Sequence, residues 1–161
     1  MNDPGFTLRE ARRGDVPAIV SLIGDLALYE RQPEDCHADA RLLEEHLFGP
    51  KPYAEVILAE AGAEVIGFAL FFHNYSTWLT RPGLYLEDLY VKPGQRGLGA
   101  GKALLARLAR IAVARGCGRM EWSVLTWNEP AIGFYKALGA VSMDGWRTYR
   151  LAGDALLDLG R

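Results

Sequence analysis

The chain has 161 residues, half of them hydrophobic, and 18 Lys and Arg stand against 20 Asp and Glu for a formal charge of −2. That length suits one domain with a sizeable core, residues 1–161, and the charge balance leaves no electrostatic footprint for nucleic acid. No apolar run reaches the roughly eighteen residues that a membrane span needs, so no membrane partner is expected. The N-terminal Met1-Asn2-Asp3-Pro4-Gly5 shows no basic segment leading into an apolar one, which argues against secretion. Cys36 and Cys117 lie far apart in the chain, so a reduced, cytoplasmic protein without a disulfide is expected. His37, His46 and His73 form no ligand pattern, and no metal is expected.

In chain order, residues 6–11 alternate apolar and polar and read as a strand. Asp15 can cap a helix with the face Val16, Ile19, Val20, Ile23 and Leu26, running to about Tyr29. Residues 30–37 are a polar loop broken by Pro33. A second helix is expected over 38–47 on Leu42, Leu43 and Leu47, ended by Gly49 and Pro50. Residues 53–59 read as a strand, 60–63 as a tight connection and 64–75 as a long strand. That strand is apolar on both alternations, so it is expected at the centre, covered on both faces. Residues 76–83 form a loop with Trp78 and Pro82.

The stretch 84–115 organises the rest. Leu84-Tyr85-Leu86-Glu87-Asp88-Leu89-Tyr90-Val91 reads as a strand. A turn with Gly97, Gly99 and Gly101 follows. Leu104, Leu105, Leu108, Ile111 and Ala112 then mark one face of a helix that Gly116 stops. Strand, glycine turn and helix start make an anion cradle, because glycines admit a ligand to the backbone and the first helical N–H groups are unpaired. A nucleoside-triphosphate loop needs glycine where Arg96 stands and Ser or Thr where Ala103 stands. The dinucleotide fingerprint fails at Lys102 and at Leu104.

Beyond it, residues 119–125 read as a strand. Asn128 caps a short helix over 129–138, with Pro130 in its first turn and Gly139 at its end. Residues 140–143 and 146–151 are expected to form a closing pair of strands around Asp144-Gly145. The tail carries no assignment. The order is βααβββαβαββ, a mixed α/β (α+β) fold with helices on both faces of one sheet.

The surviving pattern Arg96-x-x-Gly99-x-Gly101 resembles the acetyl-coenzyme A loop of the GNAT N-acetyltransferase superfamily, and the element order resembles its mostly antiparallel fold. Leu84-Tyr85-Leu86-Glu87-Asp88, Arg96 to Gly101, and Trp127-Asn128-Glu129-Pro130-Ala131-Ile132-Gly133-Phe134-Tyr135-Lys136 resemble the diamine (spermidine/spermine) N-acetyltransferase branch. Leu26 to Glu30 and Gly145-Trp146-Arg147 add to the likeness. The resemblance implies that the backbone of Leu89, Tyr90 and Val91 takes the pantetheine arm of acetyl-CoA. It implies that Arg96, Gly97, Leu98, Gly99, Ala100 and Gly101 take the diphosphate, and that Asn128, Glu129, Pro130 and Ala131 line the coenzyme near the thioester. Tyr135 is then the general acid, Glu87 belongs to the amine site, and Tyr29 and Glu30 contact substrate. A homodimer joined through the C-terminal strand region is implied as well. One departure stands out. Ser76 and Thr77 occupy the place before Trp78 where the polyamine enzymes carry an Asp, and Arg81 lies nearby, which favours a smaller amine or lysine-like amino acid over a long polycation.

The residues fit that chemistry. A lysine-type amine, with a pKa of about 10.4, must lose a proton before it attacks a thioester. A carboxylate such as Glu87 can attract the cation and take that proton. Glu87 and Asp88 point to opposite faces of a regular strand, so they share the site only if a bulge intervenes. Glu87 is the choice, on the face of Tyr85. A strand N–H near Leu89 can hold the developing oxyanion. Lys102, at the head of the helix, can meet a phosphate or simply face solvent. The plain alternatives are a structural ion pair for Glu87 and a core tyrosine at Tyr135. At the level of function they are a non-catalytic coenzyme A sensor or partner module, or transfer to a protein amine.

Overall fold

The structure, a computed structural model, describes residues 5–161, so the part of the leader reading that rests on residues 1–4 lies outside it. The chain divides into two compact units, Met1–Ser123 and Val124–Arg161.

The first unit runs β1 (Thr7–Glu10), α1 (Val16–Tyr29), α2 (Ala40–Phe48), β2 (Glu55–Ala61), β3 (Glu64–Ser76), β4 (Arg81–Val91), α3 (Ala100–Ala114) and β5 (Met120–Trp122). Its sheet has the order β1-β2-β3-β4-β5. The first three pairings are antiparallel, and β4 pairs β5 in parallel from Leu84↔Met120 to Leu86↔Trp122.

Period-two burial explains the layers. Val56, Leu58 and Phe68 form a core with Ile19, Leu22, Leu26 and Leu47 of α1 and α2. The alternate residues Ile57, Ala59, Ile66 and Ala69 are also buried, and α3 lies against β2, β3 and β4 on that side. The central strand is covered on both faces, as its two-sided apolar pattern demands.

Several local expectations shift: β2 runs on to Ala61, into the expected connection, and β4 begins at Arg81, inside the stretch expected as a loop. Asp15 precedes α1 but does not cap it: its carboxylate takes Arg9 at 2.7 and 2.9 Å and the Arg12 N–H at 2.7 Å. Arg9 also binds Glu60, so this ion network joins β1, β2 and the entry to α1. Helix α2 starts two residues later than its apolar pattern suggested, because Asp39 accepts from the Leu42 N–H at 2.9 Å and so fixes the start.

The second unit holds α4 (Glu129–Ala137) and α5 (Gly153–Leu159). Asn128 caps α4, accepting from the Ala131 N–H at 3.4 Å. The closing strands expected over 140–143 and 146–151 are absent among the described residues. Alternation alone does not make a strand; two short segments pairing only with each other form a hairpin that is marginal in water, and neither joins the five-stranded sheet. Helix α5 falls in the tail that carried no assignment.

Candidate active site

The site is built on a fault in β4. Leu70 of β3 stands opposite Asp88, but its neighbour Phe71 stands opposite Leu86, so Glu87 is an extra residue. A bulge of this kind reverses the alternation beyond it. The hydrogen bonds show the reversal. The Leu84 N–H donates toward β5, to Arg119 O at 3.0 Å, whereas the Lys92 N–H donates toward β3, to Ile66 O at 2.9 Å. Both are even positions, and on a regular strand they would face the same side. Beyond the bulge, therefore, Leu89 and Val91 turn their main-chain groups away from β3. The β4–β5 ladder ends at Leu86↔Trp122, so those groups line an edge of β4 that β5 no longer covers.

The bulge also gathers acid. Glu87 is exposed and Asp88 half-buried. Burial pushes the Asp88 carboxyl up to about 6, and the charges of Glu87 and then Glu30 push it the same way. Glu30, at the end of α1, is raised by burial and by Glu87. The three carboxylates are thus within electrostatic reach of one another. They are not close enough for a metal, since no group of three such ligands converges among the described residues. Asp88, which the alternation of a regular strand turns away from Glu87, joins the site through the bulge. The adjacent acidic pair was the available signal, and the bulge that unites it depends on β3.

At the end of β4 the chain makes a short 3-10 turn, Pro93–Gln95, and enters the glycine loop. Gly97 and Gly99 have φ of +90° and +86°, the left-handed region that costs other residues about 1–2 kcal/mol. A Cβ on either would meet nothing within 4 Å, so the loop surface is open. Ala100 begins α3, and its cap residue Gly99 supplies no side-chain partner, which leaves the first N–H groups of the helix for an anion. The cradle fits a diphosphate. Lys102 is exposed on the first turn of α3.

Arg96 closes the loop onto β4. Its Nε donates to Val91 O at 3.1 Å. Its guanidinium lies 4.8 Å from the Tyr29 ring centre and 5.7 Å from that of Tyr90. Tyr90 is buried in the α1 core. The structure thus brings Tyr29, Glu30, Glu87, Asp88, Leu89, Val91 and Arg96 into one neighbourhood. Tyr85, on the same strand, donates to or accepts from Ser123 Oγ at 3.0 Å and packs on Phe72 with ring centres 5.2 Å apart.

The remaining expected residues belong to the second unit. Glu129, Pro130 and Ala131 form the first turn of α4 behind Asn128, and Tyr135 lies one turn after Ala131 on the same face.

Comparison with known proteins agrees with this architecture. The pattern of the Acetyltransferase (GNAT) family matches residues 21–140. The chain is 37% identical over 163 aligned positions to a thialysine N-epsilon-acetyltransferase of Bos taurus, across 94% of this chain and 95% of that protein. It is 35% identical to a spermidine/spermine N(1)-acetyltransferase-like protein of Homo sapiens, across 96% of this chain and 24% of the longer human protein. A solved integron cassette protein from the mobile metagenome of V. cholerae superposes with a TM-score of 0.82 at 26% identity, over 98% of each chain. A bulged strand, an open edge and a glycine cradle thus occur within a chain matched nearly end to end by acetyltransferases: it belongs to the GNAT family, whose enzymes take their acetyl group from acetyl-CoA, and it is an N-acetyltransferase.

Proposed function

We propose that the enzyme acetylates the primary amine of a small molecule, a short diamine or a lysine-like amino acid, by direct attack of the amine on the thioester. The observation that carries this reading is the bulge-centred acidic cluster beside the open edge of β4. Its net negative charge draws an ammonium group to the strand. The relatives named for thialysine and for spermidine/spermine act on amines that such a cluster would hold. The smaller acceptor is favoured because Ser76 is buried and tied to the Leu79 N–H at 3.2 Å. Arg81 adds positive charge beside that turn.

Bound acetyl-CoA supplies an acetyl group already activated as a thioester. Arg96 to Gly101 would hold its diphosphate, with Lys102 beside them, and the main chain of Leu89 to Val91 its pantetheine arm. Asn128, Glu129, Pro130 and Ala131 would line the coenzyme near the thioester. Tyr29 and Glu30 position the amine. Glu87 and Asp88 share the task of base: one of them takes the ammonium proton and frees the lone pair. The Leu89 N–H donates to the carbonyl oxygen as negative charge gathers there. The N–C bond would form and the C–S bond break, the Tyr135 hydroxyl giving its proton to the departing sulfur and its phenolate taking back the second nitrogen proton, so that a neutral amide and a free thiol result. The two units act as one acetyltransferase domain in a cytoplasmic homodimer, with nucleic acid and membranes outside its chemistry.

Incubation with acetyl-CoA and a panel of spermidine, putrescine, lysine and thialysine, reading free thiol, tests the assignment. Thiol should appear fastest with lysine-like or short acceptors, and no release with any amine would overturn it. Tyr135→Phe should lower kcat by about ten- to a thousandfold with little change in acetyl-CoA affinity. An unchanged kcat would remove Tyr135 from the reaction.

A further inference from the structure

We propose that Arg96 is a positioning residue that couples the donor loop to the acceptor wall, so that occupancy of the loop stiffens the end of α1. The proposal rests on the assignment of that loop to acetyl-CoA. Arg96 uses its parts in three directions. Its Nε is committed to Val91 O, and its guanidinium carbon lies over the rings of Tyr29 and Tyr90. The residue is nonetheless exposed, which leaves the terminal nitrogens an outward edge. A planar fork can stack and donate at the same time, and a lysine ammonium cannot.

What Arg96 leans on is the end of a helix. Tyr29 is the last residue of α1, and Glu30 follows it directly. Arg31 then takes φ of +63°, a left-handed conformation unusual for a residue with a side chain. The turn is closed by the Glu30, Arg31 and Gln32 N–H groups, which donate to the carbonyls of Leu26, Leu28 and Ala27 at 2.9, 3.1 and 2.9 Å. A strained helix end of this kind keeps its shape only while its surroundings hold it. Tyr90 is buried in the α1 core and Tyr29, at the end of the helix, packs against that core from its margin, so the guanidinium spans a buried ring and a partly buried one. An anion on the outer edge of Arg96 would reduce its freedom. The cost of ordering the stack would then already be met when the amine arrives beside Glu30. Coupling of this sort is reciprocal.

The test is amide hydrogen exchange with and without coenzyme A, with binding measured separately by calorimetry. In the wild-type enzyme, saturating coenzyme A should slow exchange at the Glu30, Arg31 and Gln32 amides by roughly two- to fivefold, the range that a cation–ring contact supports. Arg96→Lys, compared at coenzyme A concentrations that calorimetry shows to saturate it, should lose that protection. Tyr29→Leu, which leaves Arg96 intact, should lose it too, and it decides the matter if Arg96→Lys abolishes binding. Protection that persists in Tyr29→Leu, or a wild-type enzyme that binds coenzyme A without protection at these amides, overturns the coupling. Failure of the wild-type protein to bind coenzyme A would instead sink the donor assignment, and the coupling with it.

Discussion

Burial, Glu87 and Glu30 together hold the Asp88 carboxyl at about 6, against an ordinary 3.8. A carboxylate in that range is ionised at neutral pH and still basic enough to accept a proton. Its working form prevails above the raised pKa, so kcat/KM should fall as pH drops through about 6. Glu30→Gln removes one of the charges that raise Asp88, and the acid limb of the profile should move to lower pH. Asp88→Asn should erase that limb and lower kcat/KM by about 10²- to 10⁴-fold. A D88N profile with the wild-type limb would hand the role to Glu87 alone. The same shift bears on folding with the opposite sign. The folded state holds the Asp88 proton more tightly than the unfolded chain, so this group favours folding below 3.8 and loses that contribution as pH rises to about 6. Asp88→Asn should therefore gain on the order of 1–2 kcal/mol at pH 7 while losing activity, measured by thermal denaturation at pH 4 and pH 7.

The elements differ in how openly the sequence declares them. Helices α1 and α3 and the two-sided strand β3 follow from periodicity, since each buries a face that its own residues define. The glycine loop was legible for the same local reason: Gly97 and Gly99 occupy φ values that their neighbours could not adopt cheaply. Gly99→Ala forces a Cβ into that region at the mouth of α3. It should raise the KM for acetyl-CoA severalfold or more, with a smaller change in kcat at saturation; equal KM values would show that the loop does not depend on this turn. The bulge at Glu87 was not legible, because it arises from a mismatch in count between β3 and β4, which neither strand contains alone. The contact of Arg96 with Tyr29 was hidden too, because it joins residues far apart in the chain. Behind these features lies an ordinary core. Phe68, fully buried beneath α1, should cost about 3–5 kcal/mol on truncation to alanine, read by denaturant unfolding.

At the scale of the whole molecule, residues 140–151 alternate like strands yet form none. Their alternation is real, but pairing is a property of two segments, and neither of these joins the five-stranded sheet. What remains is a run of large apolar side chains facing solvent, with Val141 81%, Trp146 71% and Tyr149 91% exposed. Large apolar side chains exposed along one segment suit a surface that another protein covers, and strand-like sequence suits cover by β-pairing. A second copy of the chain is the occupant proposed above, which removes those side chains from water in both copies at once. The wild-type protein should then run as a dimer by light scattering at micromolar concentration. Trp146→Ser together with Tyr149→Ser, at side chains 71% and 91% exposed, should shift it toward the monomer without lowering the unfolding midpoint. A wild-type protein already monomeric at that concentration would overturn the dimer and leave the C-terminal segment to some other partner.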